Sequence, residues 1–324
     1  TLSDKNNKGV ISTSVVEFVI VGFPGFRDIE SRKTLLTVFL TVYLCILLGN
    51  ILLILIFTSD KSLHTPMYVL VCGLAILDIV ITTNTIPSML VLFILGSRSV
   101  SFVACFTQTT FYLSLFCTES FILSLMAYDR YIAICNPLHY PNLMNNGRAI
   151  KLIMCCLMAG LLCAALSVGL ALRFPFCGPN KVNQCFCDYS SVLMLACGDI
   201  TVTSYVGLTT GLSVLLFPLI YILFSYVRII SSVLKISTSE GRLKAFYTCG
   251  THLLVISVFY FVAASVFISY RIPGTSVDMR IMGAIIQNVF PALMNPVIYC
   301  LRTKEIRDSL VKTLRKCKVL PQIM

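Results

Sequence analysis

Seven windows of this 324-residue chain run for roughly the 20 apolar residues that a bilayer crossing needs, and they limit what the chain can fold into. Leu35–Phe57, Leu152–Leu172, Ile200–Val227, Phe246–Tyr270 and Ile281–Leu301 contain no Asp, Glu, Lys or Arg. Met67–Leu95 holds one charged residue, Asp78. Phe102–Ile134 holds Glu119 in its middle and Asp129-Arg130 near its end. In lipid a backbone must satisfy its own hydrogen bonds, so such windows fold as helices. Barrel strands would be about 10 residues long and alternating, which these are not. The expected fold is an all-α membrane protein, a bundle of seven transmembrane helices.

Only 12% of the residues are charged, about half the share in a soluble domain, and 57% are hydrophobic. That excludes a disordered chain, a collagen-like fibre and an ordinary cytosolic enzyme. The net charge of +11 is unevenly placed. With the amino end outside, 10 of the 25 Lys and Arg residues face out and 15 face in, most densely over Arg302–Lys318. The positive-inside rule then puts the amino end outside and the carboxyl end in the cytoplasm. No cleavable signal peptide stands before Leu35, so the first span is expected to act as a signal anchor. No Asn-x-Ser/Thr acceptor is present.

Three parts are expected: an extracellular segment over 1–33, the seven-helix unit over 34–302 with a long outer loop at 173–203, and a cytoplasmic helix and tail over 303–324. In that tail Ile306, Leu310 and Leu314 alternate with basic residues. This reads either as an amphipathic eighth helix on the inner leaflet or as a solvated basic tail.

The inner end of the third window reads Met126-Ala-Tyr-Asp-Arg-Tyr-Ile-Ala-Ile-Cys-Asn-Pro-Leu-His-Tyr140. Further blocks are Gly49-Asn50, Leu63-His-Thr-Pro-Met-Tyr68, Ser225-Tyr226, Lys244-Ala-Phe-Tyr-Thr-Cys-Gly-Thr-His-Leu253, Asn295-Pro-Val-Ile-Tyr299 and Leu301-Arg-Thr-Lys-Glu305. Together they resemble the vertebrate odorant receptors among the rhodopsin-like G-protein-coupled receptors, over nearly the whole chain. Gly22-Phe-Pro-Gly-Phe26 resembles the fish-like subset of that family. The sixth window departs from the family's Phe-Tyr-Gly with Phe259-Tyr260-Phe261, and Cys185 is an extra cysteine.

The resemblance implies a division of labour. Asp78 and Glu119 are the only acids deep in the windows, where an isolated charge is costly. They would hold a structural sodium ion near Asn50 and Asn295, or one of them is protonated and both are hydrogen-bonded. Asp129, Arg130, Tyr131, Tyr226, His252, Asn295, Pro296 and Tyr299 would form the cytoplasmic switch, with Arg130 paired to Asp129 at rest and free to meet a G-protein helix on activation. Pro218, Pro291 and Pro296 are hinges or passive kinks. Cys105 would pair with Cys187 and Cys177 with Cys197, leaving Cys185 free or competing for a bridge.

The resemblance also places a ligand site between the outer halves of the third, fifth, sixth and seventh helices. Its matching residues are Gln108, Tyr112, Leu113, Phe116, Thr210, Tyr260, Phe267 and Arg271, with Tyr189 from the long loop. Apolar and aromatic side chains with few polar groups suit a small molecule. Arg271 either anchors a carboxylate in bidentate fashion or snorkels at the interface.

The expected activity is that of an odorant receptor. It would bind a small odorant, a carboxylate or other anion, and activate a Gs-type (olfactory) heterotrimeric G protein to raise cyclic AMP in the plasma membrane of olfactory cilia. The competing classes are a non-olfactory chemoreceptor and a transporter. Retinal binding finds no Lys in Ile281–Leu301, and an amine finds no acid in the outer half of the third window. No motif of a hydrolase, metalloenzyme or phosphate loop is present, and nothing points to nucleic acid or to a cofactor beyond the sodium ion.

Overall fold

The computed structural model describes residues 15–177, 179–235, 239–269 and 274–316, with only the backbone path given for 239–248, 267–269 and 314–316. Seven helices are long and apolar enough to cross a membrane: α1 (Ile29–Ser59), α2 (Pro66–Leu95), α3 (Phe102–Cys135), α5 (Asn146–Ala171), α7 (Thr201–Val233), α8 (Ser239–Ser269) and α9 (Val277–Arg302). Short helices α4 (Tyr140–Leu143) and α6 (Tyr189–Leu193) lie in loops, and α10 (Lys304–Lys316) follows α9 as a separate amphipathic helix. Each span occurs where its apolar window predicts it. Several overrun the windows, because polar and charged residues also propagate a helix once it leaves the hydrocarbon; α1 starts at Ile29 rather than Leu35.

The ends carry their own punctuation. Asp28 accepts the Ser31 N–H at 2.8 Å before α1, Asn145 the Arg148 N–H at 2.9 Å before α5, and Ser276 the Met279 N–H at 3.2 Å before α9. Gly96 ends α2 with φ of +80°, a conformation that costs a residue with Cβ.

Large apolar side chains face outward, among them Leu48, Phe217, Ile220, Phe224 and Phe261. In water such a surface would be unstable; in a bilayer it is the solvated face. The interior holds the polar residues: Asn50, Asp78, Thr82, Glu119, Ser120, Asp129, Asn288 and Asn295 are all buried. Helix α3 is central and packs against α2, α5, α7 and α8. Its tightest neighbour is α5. A Cβ on Gly160 would lie 2.5 Å from the Ser114 carbonyl oxygen, so the two backbones nearly touch.

Residues 15–28, ahead of α1, pack against the bundle. Glu17–Ile20 forms strand β1, the centre of a three-stranded sheet, antiparallel to β2 (Arg98–Ser101) and parallel to β3 (Lys181–Val182). Its inward face buries Phe18, which packs on Phe102, Phe106 and Phe176. Gly22, with φ of +70°, turns the chain toward α9, where the Gly25 N–H reaches the Asp278 carboxylate at 3.1 Å. The Gly22–Phe26 segment thus straps the amino-terminal strand across the end of the bundle. The strands escaped the sequence reading because four residues beside a much stronger helical signal carry little periodicity of their own.

Candidate functional site

The long loop is pinned to α3 at one point by a disulfide and two hydrogen bonds. Cys187 is disulfide-bonded to Cys105, its N–H donates to Gln108 Oε1 at 3.0 Å, and its carbonyl accepts the Thr109 hydroxyl at 3.1 Å. A second disulfide, Cys177–Cys197, closes the loop on itself. Cys185 is a free, buried thiol, pushed up by burial from its ordinary pKa. Gln108 Nε2 also donates to the Asn84 carbonyl at 2.7 Å, so its amide holds α2, α3 and the loop together.

Below this clamp the i, i+4 stripe of α3 runs Gln108, Tyr112, Phe116, Ser120. Tyr112 meets Phe186 of the loop with ring centroids 5.2 Å apart, and Phe116 stacks on Phe259 of α8 at 5.4 Å. Ser120 donates to the Val214 carbonyl of α7 at 2.8 Å and lies 3.1 Å from the Tyr260 hydroxyl. Leu113 and Thr210 are half-buried. Tyr189 sits on α6 against α7, its phenol raised above the ordinary pKa by burial. Phe261 is 75% exposed on the outer face of α8, so the departure at that position lies away from this region. Arg271 and the side chain of Phe267 lie outside the described residues.

Three buried amides tie α1, α2 and α9 to one another, and one of them reaches Asp78. Asn50 Nδ2 donates to the Ile46 and Ala292 carbonyls, both at 3.0 Å, Asn295 Nδ2 to Asp78 Oδ2 at 2.9 Å, and Asn288 Nδ2 to the Thr85 hydroxyl. Each therefore leaves its Oδ1 without a hydrogen-bond partner among the described residues. Ala292 is four residues before Pro296, whose ring nitrogen cannot donate to it, so Asn50 satisfies a carbonyl that the helix abandons. Gly49 makes this approach possible, since a Cβ there would lie 3.0 Å from Pro296 Cγ.

At the opposite end from the sheet, Arg130 is held by Asp129. Its Nε and Nη2 reach Asp129 Oδ2 at 3.1 and 2.5 Å, and Tyr140 donates to Asp129 Oδ1 at 2.9 Å. Tyr226, His252 and Tyr299 are buried nearby, the His252 and Tyr299 rings 5.8 Å apart, while Tyr131 is half-buried. The described residues hold no cluster of three or more His, Cys, Asp or Glu suited to a metal ion.

Residues 39–317 match the olfactory receptor family. Human Olfactory receptor 2AT4 is 40% identical over 297 residues, 92% of either chain. Human Olfactory receptor 6N1 is 37% identical over 95% of this chain and 98% of its own. The chain belongs to the olfactory receptor family.

It is accordingly a multi-pass membrane receptor of the odorant-sensing, G-protein-coupled kind and not an enzyme. A crystal structure of squid rhodopsin superposes with a TM-score of 0.71 over 92% of this receptor and 91% of that chain, at 18% identity, a likeness of fold. The resemblance read from Met126–Tyr140 and the flanking blocks therefore named the family correctly. It did not anticipate the strap onto Asp278, the structural use of Gln108 or the place of Asn288. The signals were present as a Gly-Phe-Pro-Gly-Phe segment and two polar residues in apolar helices, but their partners are distant in sequence.

Proposed function

We propose that this olfactory receptor binds a small organic odorant in the outer half of the bundle, beneath the clamped loop, and activates a Gs-type olfactory G protein to raise cyclic AMP. Its amino end faces outward in the plasma membrane of olfactory cilia. The observation that carries the reading is that α3 alone bears both the loop clamp at Cys105, Gln108 and Thr109 and the Arg130–Asp129 pair at its other end. A ligand that settles against Tyr112 and Phe116 acts on the helix that holds Arg130. It shifts the population toward a state in which Arg130 leaves Asp129 and meets the G protein, with Tyr226 and Tyr299 as its new neighbours.

Asp78 and Glu119 with the Oδ1 atoms of Asn50 and Asn295 would hold a sodium ion in the resting state. Hard oxygens with net negative charge suit such a cation. Arg271 supplies a guanidinium for a carboxylate-bearing odorant. A cyclic AMP reporter in transfected cells, challenged with acids, amines and neutral odorants, tests this. A response to acids that disappears in Arg271→Ala is expected. A receptor that reaches the surface and responds only to neutral odorants removes the carboxylate anchor, and recruitment of a different heterotrimer removes the Gs assignment.

A further inference from the structure

Between α7 and α8, at the Arg130 end of the bundle, lies a cavity of about 90 Å³. Helix α7 walls it from Tyr226 to Val233, and α8 does so with Cys249, Gly250 and Leu253. Tyr226, Val233 and Cys249 are buried and form its floor, whereas Ile230 and Gly250 are exposed and form its mouth. A Cβ on Gly250 would meet no atom within 4 Å, so the mouth is open on the α8 side. Val227, Leu234 and Leu254 are exposed on the same face, and what borders the mouth is therefore the hydrocarbon of the bilayer.

The size of the cavity selects its occupant. An apolar cavity of about 150 Å³ takes a benzene ring, so this smaller one suits a single alkyl chain and excludes a fused ring system. Its length along α7 from Tyr226 to Val233 is about 10 Å. Two residues past Val233 stands Lys235, exposed, with no carboxylate within ion-pair distance among the described residues. A base at that level attracts an anionic headgroup by about 1 kcal/mol. An apolar slot that opens sideways into lipid, with an unpaired ammonium at its end, is complementary to a molecule with an aliphatic chain and a negative head.

We propose that the α7–α8 cavity binds one acyl chain of an anionic phospholipid, the chain lying against Tyr226 and Cys249 and the phosphate meeting Lys235. The chain supplies the dispersion contacts that the two helices do not make with each other, and so holds them in the arrangement in which Tyr226 is buried. The site is separate from the odorant region and does not depend on the odorant or the G protein assigned above.

The chain contains no Trp, so one introduced indole reports on one place. Full-length receptor carrying Leu254→Trp, beside the mouth, is placed in bilayer discs of phosphatidylcholine with a minor fraction of phosphatidylserine brominated on its acyl chains. Ile51→Trp, on the exposed face of α1 about 12 Å from the end of that helix, reports the bulk lipid. Bromine quenching is expected to be stronger at Leu254→Trp than at Ile51→Trp, and stronger there than with brominated phosphatidylcholine at the same fraction. Adding Lys235→Gln, an exposed change that leaves the fold intact, should lower the preference for phosphatidylserine about fivefold. Adding Gly250→Leu instead fills the mouth and should bring quenching down to the bulk level with either lipid. Equal quenching at the two indoles, no preference between headgroups, or an unchanged signal in Gly250→Leu overturns the proposal.

Discussion

The Ser120 hydroxyl donates at 2.8 Å to the carbonyl of Val214, the group that Pro218 leaves without a helical partner four residues on. Asn50 does the same for Ala292 ahead of Pro296. In lipid an abandoned carbonyl has no water to turn to, and at these two prolines a donor on another helix takes its place. Pro218 and Pro296 are thus anchored bends, each joined to the bundle through one side chain.

Ser120→Ala should consequently destabilise the receptor by about 1–2 kcal/mol, since it removes one buried hydrogen bond and leaves its acceptor bare. Ser120→Thr retains the hydroxyl and should recover most of that loss. Thermal unfolding of the two purified variants measures it. Equal melting temperatures for Ala and wild type would mean that Val214 does not depend on this donor.

The amino-terminal strap ends on a backbone-to-carboxylate contact, Gly25 N–H to Asp278 at 3.1 Å. A Cβ on Gly25 would collide with Asp278 Oδ2, so Gly25→Ala and Asp278→Ala break the same contact from opposite sides. Each should cost about 1–3 kcal/mol of strap stability, and the double variant should cost little more than either alone. Hydrogen exchange over residues 17–25 is the readout; additive losses would separate the two residues.

Gly160 admits no side chain. A methyl group there would collide with Thr118 Oγ1 and stand 2.5 Å from the Ser114 carbonyl oxygen. Removing the γ atoms with Thr118→Ala relieves only the first clash, because the second is with backbone. Gly160→Ala should therefore lower surface expression severely, with or without Thr118→Ala. Normal expression of the single variant would show that α3 and α5 can separate at no cost.

Asp60, in the loop after α1, is held down to about 2, first by the Ser62 hydroxyl and its amide, with Lys312 of α10 adding to it. The folded value lies below the ordinary carboxylate value. Its contribution is present in full above about pH 4 and is lost as pH falls toward 2. Amide exchange in α10 at the lower end of that range should rise in wild type. In Asp60→Asn it should be raised already at neutral pH and change little on acidification. Identical α10 protection in both proteins at pH 7 would detach Asp60 from that helix.

The helical bundle was readable from the sequence because lipid makes the demand local. A run such as Leu35–Phe57 must satisfy its own backbone whatever surrounds it. The family was readable because Met126–Tyr140 is long and specific. The pairing of Arg130 with Asp129 came with that resemblance, since neighbouring side chains on a helix do not by themselves face each other. Gln108 illustrates the limit: its sequence marks it as a polar residue in a ligand-binding stripe, yet its amide is committed to Asn84 and Cys187.

What the sequence alone determined, then, is the number of spans and the family, since each rests on hydropathy or on neighbours along the chain. Only the tertiary structure decided which polar groups serve one another. Ser120 and Val214 lie 94 residues apart, Gly25 and Asp278 lie 253 apart, and Asn295 and Asp78 lie 217 apart. Hydrogen bonds act over about 3 Å, and no pattern along a chain encodes a distance that folding alone creates.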